Sequence, residues 1–121
     1  MHFTLDGLTL PSLNEYTAKC RGNAFGANAM KKRCEKAITA LLPADRPAFD
    51  YPVHIAIEWV EPSNRRDVDN VMFSAKFILD AMVKAGLLES DSRRFVSGIT
   101  HTVSTDKTSP RIEVTVREER S

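Results

Sequence analysis

No apolar run in this chain approaches the roughly 18 residues that a membrane-spanning helix takes. Its opening, MHFTLDGLTL, lacks the basic start and small-residue cleavage site of a secretory signal. A cytoplasmic location with no membrane partner is therefore expected. Cysteine is scarce: Cys20 and Cys34 stand alone, without a CxxC pair or a Cys/His companion at zinc spacing, which points to reduced structural thiols. Net charge is also nearly absent. A formal +1 gives no reason by itself to expect a polyanionic partner. There is no internal repeat, low-complexity tract or linker, so residues 1–121 are read as a single domain.

At 121 residues, 42% apolar and 27% charged, the composition is that of an ordinary soluble globular protein. The length suffices for one core and is short enough for dimerisation to help. Charge pattern says more than its sum. Basic residues cluster at Lys31-Lys32-Arg33, Arg65-Arg66 and Arg93-Arg94, and a basic surface around an acidic pocket averages to near neutrality. That arrangement is compatible with nucleic-acid binding.

The pattern predicts strands over Phe3 to Leu10, Tyr51 to Val60, Phe95 to Val103 and Arg111 to Val116. The clearest is Tyr51 to Val60, with Val53, Ile55, Ile57 and Trp59 on one face and His54, Ala56, Glu58 and Val60 on the other. Pro11 to Gly26 is mixed, punctuated by Pro, Asn and Gly, and is read as including an extended loop. Its Asn14 and Arg21 suit phosphates or bases; a solvated loop is the plain alternative. Ala27 to Leu42 reads as a helix with apolar positions at Ala27, Met30, Cys34, Ala37, Ile38 and Leu41. The last two strands, joined by the polar turn Ser104 to Pro110, suggest a terminal antiparallel hairpin. Glu118 to Ser121 reads as a charged, frayed tail. The expected fold class is α+β: a mixed sheet with two helices packed on it, in the order β-α-β-α-β-β.

The chemistry concentrates between Arg65 and Asp91, in RRDVDNVMFSAKFILDAMVKAGLLESD. Asp67 and Asp69 lie two apart at a helix entrance; in extended backbone such residues point to one side. Hard, oxygen-seeking Mg²⁺ is held by one or two such carboxylates, with water and substrate phosphate completing its shell. The structural alternative is capping, since aspartate at a helix start accepts backbone N–H groups. Two aspartates, and a third acid after the helix at Asp91, are more than capping requires. One continuous helix ending at Gly86 would place Lys76 about 20° from Asp69 and Asp80 about 20° to the other side, an axial row. Its core stripe would be Val68, Val71, Met72, Ala75, Leu79 and Met82. An ion pair between Lys76 and Asp80 is the plain reading of that spacing. Phe73 and Phe77 lie on or near the polar row, to pack under a neighbouring loop or into a homodimer contact.

Arg66-Asp67-Val68-Asp69-Asn70, followed by Lys76, Asp80, Lys84-Ala85-Gly86 and Asp91, resembles the signature of the RusA family of Holliday-junction resolvases, common in phages and prophages. Leu10-Pro11-Ser12-Leu13-Asn14-Glu15-Tyr16 resembles that family's N-terminal segment. An isolated DxD is a weak signal; these elements in this order are fairly specific. The resemblance implies metal-site carboxylates at Asp67, Asp69 and Asp91, a catalytic cation at Lys76 and a homodimer cutting opposing strands of a four-way junction. Two positions depart from the pattern. Phe73 stands where the best-known members carry the lysine, which comes three residues later here, and Ser90 stands where members often have another aspartate.

The expected function is thus a Mg²⁺-dependent, structure-selective endodeoxyribonuclease acting on branched DNA, with Mn²⁺ able to substitute. Arg21, Lys31, Lys32, Arg65, Arg66 and Asn14 are the candidate DNA contacts. The rival from another class is a non-catalytic junction- or DNA-binding module, a prophage remnant.

Overall fold

A computed structural model of the protein describes residues 1–22 and 24–119. Among the described residues eight elements follow one another: β1 (His2–Asp6), α1 (Leu13–Gly22), α2 (Ala24–Thr39), β2 (Val53–Glu61), α3 (Val68–Met72), α4 (Ala75–Lys84), β3 (Val96–Thr105) and β4 (Arg111–Glu118). The α+β class and the mixed sheet stand. The helical layer is richer than two helices, and the order is β-α-α-β-α-α-β-β.

The strand with the strongest alternation takes the centre. The sheet runs β1-β4-β2-β3, with β2 antiparallel to β4 and parallel to β3. Val53, Ile55, Ile57 and Trp59 are buried to 1% exposure or less. They meet Phe3 and Leu5 of β1, Ile112, Val114 and Val116 of β4, and the apolar sides of the helices in one core. The opposite face stays polar, presenting Thr4, Glu58, Thr100 and Thr102 to solvent.

The expected terminal hairpin is not formed. β3 and β4 flank β2 instead of pairing with each other. Parallel pairing needs a long crossover, and α3 with α4 supplies it between β2 and β3. The polar turn then carries the chain over the end of β2, where Asp106 N–H donates to the Glu61 carbonyl at 2.8 Å. The Asp106 carboxylate accepts from Thr108 N, Thr108 Oγ1 and Ser109 N. Those bonds, the Thr108 hydroxyl first, hold its carboxyl below the usual range.

Four local readings need correction. β1 is shorter than expected, ending at Asp6 before Gly7, whose φ of 69° makes the turn. The stretch read as a loop is helical: α1 begins with a reciprocal capping box in which Ser12 Oγ accepts Glu15 N–H at 3.1 Å and Glu15 Oε1 accepts Ser12 N–H at 3.3 Å. The second helix starts at Ala24 and ends at Thr39, burying Ala27, Met30, Cys34 and Ile38 as the spacing predicts but leaving Leu41 exposed. At the chain's end, β4 continues through Glu118, and Arg120 and Ser121 of the expected tail lie outside the described residues.

The thiols differ. Cys34 is buried, and burial pushes its pKa up, whereas Cys20 is exposed. No helix among the described residues is long and apolar enough to cross a membrane.

Candidate active site

The helix expected to run unbroken from the aspartates to Gly86 is interrupted at Phe73 and Ser74. There the backbone tightens to i→i−3 bonds, from Ser74 N to Val71 O, Lys76 N to Phe73 O and Phe77 N to Ser74 O. At the break the Ser74 hydroxyl, fully buried, donates to the Pro11 carbonyl, 63 residues away. The break changes which residues face the core. Val71, Ala75, Ile78, Leu79, Ala81 and Met82 are buried, while Val68 and Met72 of the expected stripe are exposed. Phe73 and Phe77 pack on Tyr16 of α1, with ring centroids 5.2 and 5.9 Å away. At the far end Gly86, at φ 82°, closes α4 with Leu87 N–H donating to the Met82 carbonyl.

Ser74 is the third rung of a clamp. Arg66, Asn70 and Ser74 are spaced by four, and each holds main-chain atoms of the segment leading into α1. Arg66 Nη1 donates to the Leu10 carbonyl at 2.9 Å, and Asn70 Oδ1 accepts Asn14 N–H at 3.3 Å. Arg66 is itself fixed by Glu61 at the end of β2, through a two-pronged bridge of 2.8 and 3.1 Å, and reaches Glu15 at 3.3 Å. Among the described residues the buried polar side chains are Ser12, Glu61 and Ser74, and all three belong to this network. The large majority of buried polar groups in folded proteins are hydrogen-bonded.

Asp67 stands at the N-cap position of α3, with extended backbone at φ −72° and ψ 156°, yet its side chain makes no capping bond. Asp69 lies inside the first turn of α3, and one of its oxygens accepts the neighbouring Asn70 N–H at 3.0 Å. Only Asp67 is therefore extended, so the argument that residues two apart share one side does not describe this pair. Both carboxylates are exposed. Asp67 lines a polar recess of about 150 Å³ with Ser12, Asn14, Arg65, Arg66 and Asn70.

Lys76 is positioned elsewhere. Its Nζ lies 3.4 Å from Asp80 Oδ1 and 3.9 Å from Asp91 Oδ2. A second cavity, of about 310 Å³, gathers Lys76, Asp80 and Asp91 with Lys31 and Glu35 of α2 and with Lys84. The Lys76–Asp80 part of the expected row is thus present, but Asp91 rather than Asp69 joins it. Among the described residues no three acids, histidines or cysteines converge as a ready-made metal cage. The donors nonetheless suit a hard cation, which uses one or two carboxylates and keeps several waters, and the Asp67 carboxylate makes no capping bond among the described residues.

The remaining candidates separate by what they touch. Arg65 and Asn14 line the Asp67 recess, and Lys31 lines the Lys76 cavity. Arg21 and Lys32 are exposed on α1 and α2. Arg66 is turned inward with its donors engaged. Sequence reasoning missed Glu61, Ser74 and the Ser12–Glu15 box; the last was visible as the Ser-x-x-Glu spacing of Ser12 and Glu15.

Residues 9–117 match the family described as endodeoxyribonuclease RusA. The chain belongs to the RusA family. The match leaves out β1 and begins just before Leu10, so the segment held by the clamp falls within the RusA homology along with the aspartates and Lys76. A search of curated proteins returned no match.

Proposed function

We propose that this RusA-family chain is a Mg²⁺-dependent endonuclease that resolves four-way DNA junctions by paired phosphodiester hydrolysis as a homodimer. The observation that carries the reading is Asp67: a carboxylate at a helix start that forgoes the cap and stays exposed beside a polar recess. Asp67, Asp69 and Asp91 are the residues to hold the metal, and Mn²⁺ is expected to substitute. Bound there, such a cation would supply a water of lowered pKa and would offset charge on the scissile phosphate. Lys76, mostly exposed while Asp80 and Asp91 flank its ammonium, stabilises charge developing on the phosphate or leaving oxygen. Arg21, Lys31, Lys32, Arg65 and Asn14 bind the DNA backbone. Arg66 supports them by holding the α1 segment, since reaching DNA would break its bonds to Glu61 and Leu10.

The test is nicking of a synthetic four-way junction. Mg²⁺ or Mn²⁺ should support symmetric nicks, EDTA should abolish them while leaving binding, and Asp69→Asn should be inactive. Equal cutting by wild type and Asp69→Asn would show the site to be misplaced. One observation favours the non-catalytic rival: three acids do not converge among the described residues. Junction binding without cleavage in either metal would select it.

A further inference from the structure

We infer that Asp80 is a positioning residue that holds Lys76 and Lys31 as a pair of cations for the scissile phosphate. The inference rests on the nuclease reading above and deepens it. Asp80 divides its oxygens between two helices: Oδ1 faces Lys76 of α4 at 3.4 Å, and Oδ2 faces Lys31 of α2 at 3.9 Å. The three side chains are graded in depth. Asp80 is 18% exposed, Lys31 44% and Lys76 66%. A phosphate approaching from solvent therefore meets two ammonium groups before the carboxylate behind them. Asp91, proposed for the metal, lies 3.9 Å from Lys76 on the same cavity.

An ordinary exposed i,i+4 pair would not need a second helix. Here a second cross-helix contact lies one turn further along each helix, where Lys84 Nζ meets Glu35 Oε2 at 2.6 Å. Asp80 and Lys84 are four apart on α4, as Lys31 and Glu35 are on α2. Two cross-helix contacts of opposite polarity thus lie one turn apart along α2 and α4, whose apolar sides meet in the core. Exposed ion pairs contribute little stability. What Asp80 supplies is placement of two long, flexible side chains whose freedom would otherwise have to be lost in the transition state.

The test compares wild type, Asp80→Asn and Lys31→Gln in single-turnover cleavage of a four-way junction with Mg²⁺, with junction affinity measured in Ca²⁺. Asp80→Asn should slow the cleavage step by about ten- to a hundredfold with affinity changed less than about twofold and the melting temperature nearly unmoved. Lys31→Gln should slow the step more than it weakens affinity, and the double variant should lose no more than Asp80→Asn alone. Asp80→Asn cleaving at the wild-type rate, or losses that only follow affinity, would overturn the inference. Should Asp80→Asn not fold, Lys31→Gln decides: an unchanged cleavage step rejects it. Should wild type not cleave at all, the nuclease reading falls, and ¹⁵N-lysine spectra test the placement itself. Ammonium signals of Lys31 and Lys76 that are protected in wild type and lost in a folded Asp80→Asn or, failing that, Lys76 protection lost in Lys31→Gln support it; unchanged signals reject it.

Discussion

Replacing Arg66 by methionine should be the most damaging single change to the fold near the site. Arg66 is 22% exposed and its partner Glu61 only 8%, so Arg66→Met leaves a buried carboxylate without its two-pronged partner. Breaking a buried pair in this way costs about 3–5 kcal/mol. The Leu10 carbonyl and Glu15 lose a donor as well. For a chain of this size each kcal/mol moves the melting temperature by about 3–5 °C, so a fall of roughly 10–20 °C is expected. Differential scanning calorimetry on the purified variant reads it directly. The companion variant Arg66→Met/Glu61→Leu should regain much of the loss, because an apolar replacement of both partners removes the stranded charge. An Arg66→Met melting point within about 3 °C of wild type would refute the reasoning, since it would mean that Glu61 is solvated or re-paired at little cost.

Asp67→Asn should leave the melting temperature unchanged within about 2 °C, because no cap bond is lost, while abolishing junction cleavage; a stability loss with retained cleavage would restore the capping reading. Ser12→Ala removes one half of the α1 capping box and should destabilise by about 1 kcal/mol, seen in the midpoint of urea unfolding. His101 accepts the Trp59 indole N–H at 3.0 Å, and burial lowers its pKa from 6.5. The neutral ring is therefore favoured in the folded state, so stability is full above pH 6.5 and declines as pH falls from there towards the lowered folded pKa. Thermal melts between pH 7.5 and 5.5 should show this decline, and His101→Gln should flatten it.

What the sequence revealed and what it hid differ by range of interaction. The face of β2 was readable because Val53, Ile55, Ile57 and Trp59 alternate within nine residues. The neighbours of β2 were not, because alternation says which side of a strand is buried and nothing about which strand lies beside it. The break in the aspartate helix was invisible for a related reason. Ser74 looks like any mid-helix serine until Pro11 is brought to it from 63 residues away. Arg66 likewise read as a free surface cation beside Arg65, because its partners Glu61, Leu10 and Glu15 meet only when β2 and the start of α1 converge. The family signature itself lay in local order, so Asp67, Asp69, Lys76 and Asp91 could be named without any of this.

The clamp holds its target by main-chain atoms: the Leu10 and Pro11 carbonyls and the Asn14 N–H. Its grip is therefore indifferent to which side chains Leu13 and Asn14 carry, both of which point outward enough to be exposed. Change at Asn14 can alter what the recess beside Asp67 presents without loosening the frame, whereas change at Arg66 or Ser74 loosens the frame whatever the recess presents. What the recess presents and what keeps the architecture are thus assigned to different residues within one short contact.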